Sequence, residues 1–108
     1  MQSLIYKNCT LEIYQIKTNP YLLTLEDIAN ALDIYPKLIT LTLETESFFF
    51  KQDFHYFKTN DEIYFSRVGI IRLAILIGSV EATEFALFCE KELMAFENFY
   101  EKLMIAGN

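Results

Sequence analysis

Apolar and polar residues change rhythm several times along this chain of 108 residues, and each rhythm predicts a different element. Leu4 and Tyr6, then Leu11, Ile13 and Ile16, alternate with polar positions around Lys7-Asn8-Cys9-Thr10, the pattern of a small β-hairpin. Asn19-Pro20 interrupts it. From Leu25 the spacing lengthens: Leu25, Ile28, Ala29 and Leu32 share a helical face, and Thr24 followed by Asp27 has the order of a capping box. Asp33-Ile34-Tyr35-Pro36 ends that helix, and Pro36 stands where proline is best tolerated, in the first turn of a second helix.

Beyond Pro36 two periods overlap. Ile39, Leu41 and Leu43 alternate with Thr40, Thr42 and Glu44 as a strand requires, whereas Leu38, Leu41 and Thr45 suit a helix. The proline and the short turn from the preceding helix favour a helix-turn-helix. The apolar content of Lys37 to Ser47 equally suits an element that only packs the core. Phe48-Phe49-Phe50 and Asp53 to Phe57, joined through Thr59-Asn60-Asp61 to Ile63-Tyr64-Phe65, predict a second hairpin, or wing. Ser66 then caps a short helix that closes at Gly78 in a left-handed turn. Ser79 caps the last helix, with Glu81 and Glu84 near the positive end of its dipole, and this helix is expected to run to about Ile105. The fold class expected is α+β, one domain over residues 1–108 with 96–108 as a helical extension.

A hydrophobic content of 53% supports one core of ordinary size. The longest apolar runs, such as Val68 to Ile77, are broken by Gly69 and Arg72 and fall short of the roughly 20 residues that span a bilayer. Met1 opens no signal peptide, so a soluble cytoplasmic protein is expected, with no membrane partner. Cys9 and Cys89 are accordingly expected to be reduced, buried thiols. No CxxC or His/Cys cluster suggests zinc, and the glycines lie singly at 69, 78 and 107 with no phosphate-cradling loop, so no cofactor is expected. His55, the single histidine, has Asp53 two residues away but no nucleophile beside it, and reads as wing surface. Cys9 has no cation cluster near it beyond Lys7 and reads as a poor nucleophile. The pattern points away from an enzyme.

The net charge of -6 bears on partners, because phosphate neutralisation supplies most nonspecific affinity for DNA. After position 58, Arg67, Arg72, Lys91 and Lys102 face eight carboxylates. A DNA contact face reduces to Lys37, Thr40, Lys51 and Lys58, with Arg67 and Arg72 as further phosphate contacts; solvated, isolated charges are the plainer reading of the same residues. In the last helix Ala82, Phe85, Cys89, Leu93, Phe96, Tyr100 and Leu103 form a seam that Phe88, Ala95 and Phe99 widen. Phe96, Phe99, Tyr100 and Met104 either pack on the domain itself or meet a second copy or another protein. Glu90, Glu97 and Glu101 share one side of that helix, as a stripe for a basic, nucleic-acid-handling protein or as a solvated face.

Ser66, Gly69, Arg72, Leu73, Ala82, Phe85, Phe88 and Glu92 stand at spacings that resemble the Bro-N family of phage and viral regulatory proteins. The resemblance extends from about Ser3 to Ala95 in element order, including the Leu25-Glu26-Asp27-Ile28-Ala29 helix before a turn. It implies a phage- or prophage-type regulator, commonly a DNA-binding or antirepressor module. Three functions are compatible with it and with the charge. The favoured one is a homodimeric, non-enzymatic regulator acting by protein contact through its acidic surface and last helix. The others are a dimeric DNA-binding regulator using Lys37, Thr40, Lys51 and Lys58, and an acidic inhibitor of a host defence nuclease, of anti-restriction or anti-CRISPR type.

Overall fold

The first hairpin forms as its alternation predicts, with β1 (Ser3–Tyr6) antiparallel to β2 (Cys9–Glu12) and Leu4 opposite Leu11. Its two-residue turn has both φ angles positive, 46° at Lys7 and 70° at Asn8, the geometry whose twist matches that of the flanking strands. Leu4 and Leu11 point into the core while Ile5 faces solvent. The computed structural model describes residues 2–16 and 20–106, and side chains of the last helix as far as residue 98.

A short strand that the sequence pattern does not reveal, β3 (Leu22–Thr24), follows. It pairs antiparallel with the strand leading to Ser66, Leu23 opposite Phe65. Two backbone hydrogen bonds between Tyr14 and Leu22, 2.9 and 2.7 Å, tie it to the chain leaving the first hairpin. Helix α1 (Leu25–Leu32) starts at Thr24, whose hydroxyl accepts the Asp27 N–H at 3.1 Å. Only this half of the expected capping box forms. The Asp27 carboxylate accepts the Glu12 N–H at 3.0 Å instead, because β2 offers an unpaired amide beside it, and so it joins helix to hairpin. The helix ends at Asp33, left-handed at φ 54°, with the Asp33 and Ile34 amides donating to Asn30 and Ala29 carbonyls. That is the double closure of a Schellman motif, here without glycine.

Between the strand and helix readings of the next segment the structure decides for helix, α2 (Pro36–Thr45), with Pro36 in its first turn. Ile39 is its one buried residue. Phe48-Phe49-Phe50 does not enter the second hairpin, for Ser47–Phe49 is a single 3-10 turn and the hairpin begins later, as β4 (Tyr56–Thr59) and β5 (Glu62–Ser66). Nor is this hairpin a projecting wing. β5 lies between β3 and β4 in a three-stranded antiparallel sheet, since Phe65 is needed in the core and β3 satisfies its other edge.

Two helices complete the domain. α3 (Arg67–Ile77) begins at Ser66, which accepts the Gly69 N–H at 3.3 Å, and closes at Gly78 with φ 74°. α4 (Val80–Ala106) begins at Ser79, which accepts the Ala82 N–H at 3.1 Å. The Gly78-Ser79 connection folds α4 back along α3, so Leu73 and Ala74 meet the seam of Ala82, Phe85, Ala86, Cys89 and Leu93. Each fully buried large side chain there contributes about 1.5–3 kcal/mol. The architecture is α+β, with the helices and both sheets sharing one core.

Candidate interaction site

The residues considered for DNA contact fall on three separate elements. Lys37 and Thr40 lie on α2, Lys51 in the loop before β4, and Lys58 on β4 at the sheet edge. The side chains of α2 are turned to other uses. Thr40, Thr42 and Thr45 each donate their hydroxyl to the carbonyl four residues earlier, at 3.4, 2.8 and 2.9 Å, and Tyr35, Leu38 and Leu41 are exposed beside Lys37.

The acidic stripe is partly engaged within the domain. Arg67, at the start of α3, lies 3.7 Å from Glu90 and 3.5 Å from Glu97, binding α3 to α4 at that point. Its Nε is buried without a hydrogen bond, although Glu97 is the nearer carboxylate. Phe96 is half-buried, its ring 5.7 Å from that of Tyr21, so this part of the apolar seam covers the domain's own core. The side chains of Phe99, Tyr100, Glu101 and Met104 lie outside the described residues.

His55 departs most from expectation. It is buried rather than on the hairpin surface, because the N-terminus of α3 closes over the loop that carries it. Its Nδ1 accepts the Lys51 N–H at 2.9 Å, while the Lys51 carbonyl accepts the His55 N–H at the same distance, so the loop folds back on itself. The His55 carbonyl accepts the Ser66 amide at 3.1 Å, and the Ser66 hydroxyl donates to the Phe54 carbonyl at 2.7 Å. Gly69 lies against this loop so closely that a Cβ would stand 1.9 Å from the His55 oxygen. Burial, then the positive charges of Arg72 and Lys51, hold the His55 pKa below its usual value. An imidazole with Nδ1 committed as acceptor stays neutral and carries its proton on Nε2.

The same closure leaves a groove of about 280 Å³ between the loop and the outward face of α3. Phe54, Val68, Ile71 and Ile75 make its apolar walls, and His55 and Arg72 are its polar members. Along α3, Gly69, Ile70, Leu73 and Ala74 are buried, Val68 and Ile71 are half-buried, Ile71 against the core, and Arg72 and Ile75 are exposed; the last four share the side that lines the groove. Arg72 donates one N–H to the Phe49 carbonyl at 3.2 Å, which brings the 3-10 turn, with Phe48 fully exposed and Phe49 half-exposed, beside the groove. This is the site that sequence reasoning missed. Its signal was present in Val68 to Ile77, where eight of ten residues are apolar, more than one buried face requires.

Among the described residues no group of three or more His, Cys, Asp or Glu is placed to hold a metal ion, and none of their helices is long and apolar enough to cross a membrane. The Cys89 thiol is buried, which pushes its pKa up to about 12, and Cys9 is half-buried with its thiol 3.7 Å from the Asn30 carbonyl. No family model, curated protein or solved structure matches the chain.

Proposed function

We propose that this chain is a cytoplasmic, non-enzymatic regulator of phage or prophage type, Bro-N-like in its element order, that works by contact with another protein. The observation that carries the reading is the outward apolar face of α3, continued by Phe54 and the exposed Phe48 and Phe49. A small soluble monomer gains nothing by keeping these side chains in water, and patches of this kind mark contact surfaces. The resemblance supplies the regulatory context. Dimerisation through the last helix belongs to the same reading, with Phe99, Tyr100 and Met104 as its contacts.

A DNA-binding regulator is the second reading, favoured by the short turn that joins α1 to an exposed α2. It is weakened by that helix's surface of Tyr35, Leu38 and Leu41 and by its single cation, Lys37. The nuclease-inhibitor reading loses force where Glu90 and Glu97 pair with Arg67. A gel-shift titration with random duplex DNA at about 150 mM salt separates the first two, since few cations are available to release counterions. The expected result is no shift at micromolar protein. Submicromolar binding that disappears when Lys51 and Lys58 become glutamate would replace protein contact by DNA contact.

A further inference from the structure

The chemistry of the partner is written in the groove, if the protein-contact reading above holds. Phe48, Phe49, Phe54 and Ile75 are 102%, 47%, 53% and 71% exposed. Because a large apolar side chain buries on the order of 150–250 Å², these four leave roughly 500 Å² in water. The groove itself, about 280 Å³ in volume, is small for a cofactor and suited to an anchoring side chain.

Charge narrows the choice of occupant. In a chain of net charge -6, the one charged side chain that lines the groove is positive, Arg72. Arg72 spends one N–H on the Phe49 carbonyl and keeps the rest of its guanidinium donors. Nε2 of His55 is a further donor, with no hydrogen-bond partner among the described residues. Asp53, in the same loop, is exposed and is not part of the groove lining. A second copy meeting this face across a twofold axis would set the same cations against each other. An acidic partner meets complementary charge.

We propose that this groove docks an acidic amphipathic segment of a partner protein, which seats one large apolar side chain between Phe54 and Val68, Ile71 and Ile75. An adjacent Asp or Glu of that segment takes the Arg72 guanidinium in a charge-assisted pair, with the His55 Nε2–H beside it. The apolar anchor supplies affinity and the carboxylate fixes which way the segment runs.

A random dodecapeptide phage-display library selected on the wild-type chain and counter-selected on Ile75→Asp tests this. Ile75 is exposed, so the variant keeps its fold, which circular dichroism verifies. The expected winners carry Phe, Trp, Leu or Ile with Asp or Glu within a helical turn. In a synthesised winner, changing the acids to amides weakens binding about tenfold or more, and Arg72→Gln on the protein removes that difference. Winners without acidic bias, or selection indifferent to Ile75→Asp, overturn the proposal. A wild-type dimer that Ile75→Asp dissociates overturns it in favour of a second copy. If the library fails and random DNA also fails to bind, protein contact survives with its seat elsewhere. Submicromolar DNA binding refutes the protein-contact reading itself.

Discussion

Adding one methyl group at Gly69 tests the closure that buries His55 and shapes the groove. In Gly69→Ala the new Cβ would stand 1.9 Å from the His55 oxygen, 2.7 Å from its carbonyl carbon and 3.1 Å from its Cα, all backbone atoms with no rotamer to retreat into. Loop and helix must part by about 1 Å, and overpacking of this kind costs about 1–3 kcal/mol. The movement also breaks the 3.1 Å bond from the Ser66 amide to His55 and strains the 2.7 Å bond from the Ser66 hydroxyl to Phe54. Each such bond contributes about 1 kcal/mol, so the whole effect is about 3 kcal/mol or more from a total near 5–15. Gly78→Ala is the internal control. Its nearest neighbour would be 3.9 Å away, leaving only the left-handed backbone, φ 74°, at a cost of about 1–2 kcal/mol. Urea unfolding followed by far-UV circular dichroism reads the difference. With a slope of about 1.5 kcal/mol/M, Gly69→Ala lowers the midpoint by about 2 M and Gly78→Ala by about 1 M. A Gly69→Ala midpoint at or above that of Gly78→Ala refutes the closure as described.

The other expectations are smaller in scale. Asp33→Gly raises stability by up to about 1 kcal/mol, because glycine relieves the left-handed φ of 54° while the two closing amides stay in place; a lower midpoint refutes the cap. His55, held neutral in the folded chain, contributes stability that is fully present above its ordinary pKa near 6.5. That contribution is lost as pH falls below this value, where the unfolded chain takes up the proton first, so the urea midpoint drops between pH 7.5 and 5.5 in wild type and less in His55→Gln. Equal drops in both refute it. Iodoacetamide at pH 8 followed by mass spectrometry labels Cys9 well before Cys89, whose pKa near 12 leaves about one thiolate in ten thousand; equal rates in the native protein contradict the burial of α4's seam. Sedimentation at tens of micromolar shows a dimer that Phe99→Ser with Met104→Ser dissociates, whereas an unchanged wild-type monomer removes the last helix as a dimer contact.

Elements whose ends depend on one or two residues were legible in the sequence. Thr24, Pro36, Ser66, Gly78 and Ser79 each start or stop a helix by their own chemistry, and each does so here. What stayed hidden depends on partners distant in the chain. β3 has three residues, all buried, too few to show alternation, and it becomes a strand only because Leu23 meets Phe65 on β5. The Asp27 carboxylate left its expected capping role because β2 presented the Glu12 amide. His55 looked like surface until α3, more than ten residues further on, closed against its carbonyl.

The groove was illegible for a related reason. Within Val68 to Ile77 almost every position is apolar, so a periodicity argument finds an inward face in any direction. Packing chose the face with Gly69 and Ala74, where Gly69 lets α3 approach the His55 loop, and that choice left Ile75 exposed and Val68 and Ile71 half-buried along the groove. α1 faced the same physics with a different sequence. Its core stripe is Leu25, Ile28 and Ala29, and its outward positions are Glu26 and Asn30. A helix with a covered face and a solvent face therefore has a ready solution in this chain, and α3 does not use it. Its groove side keeps Val68, Ile71 and Ile75 beside a single arginine, Arg72, a more apolar composition than the Glu26 and Asn30 side of α1. Solubility alone gives no reason for that difference between two helices of one small domain; the proposed protein partner, covering α3 and leaving α1 in water, would supply one.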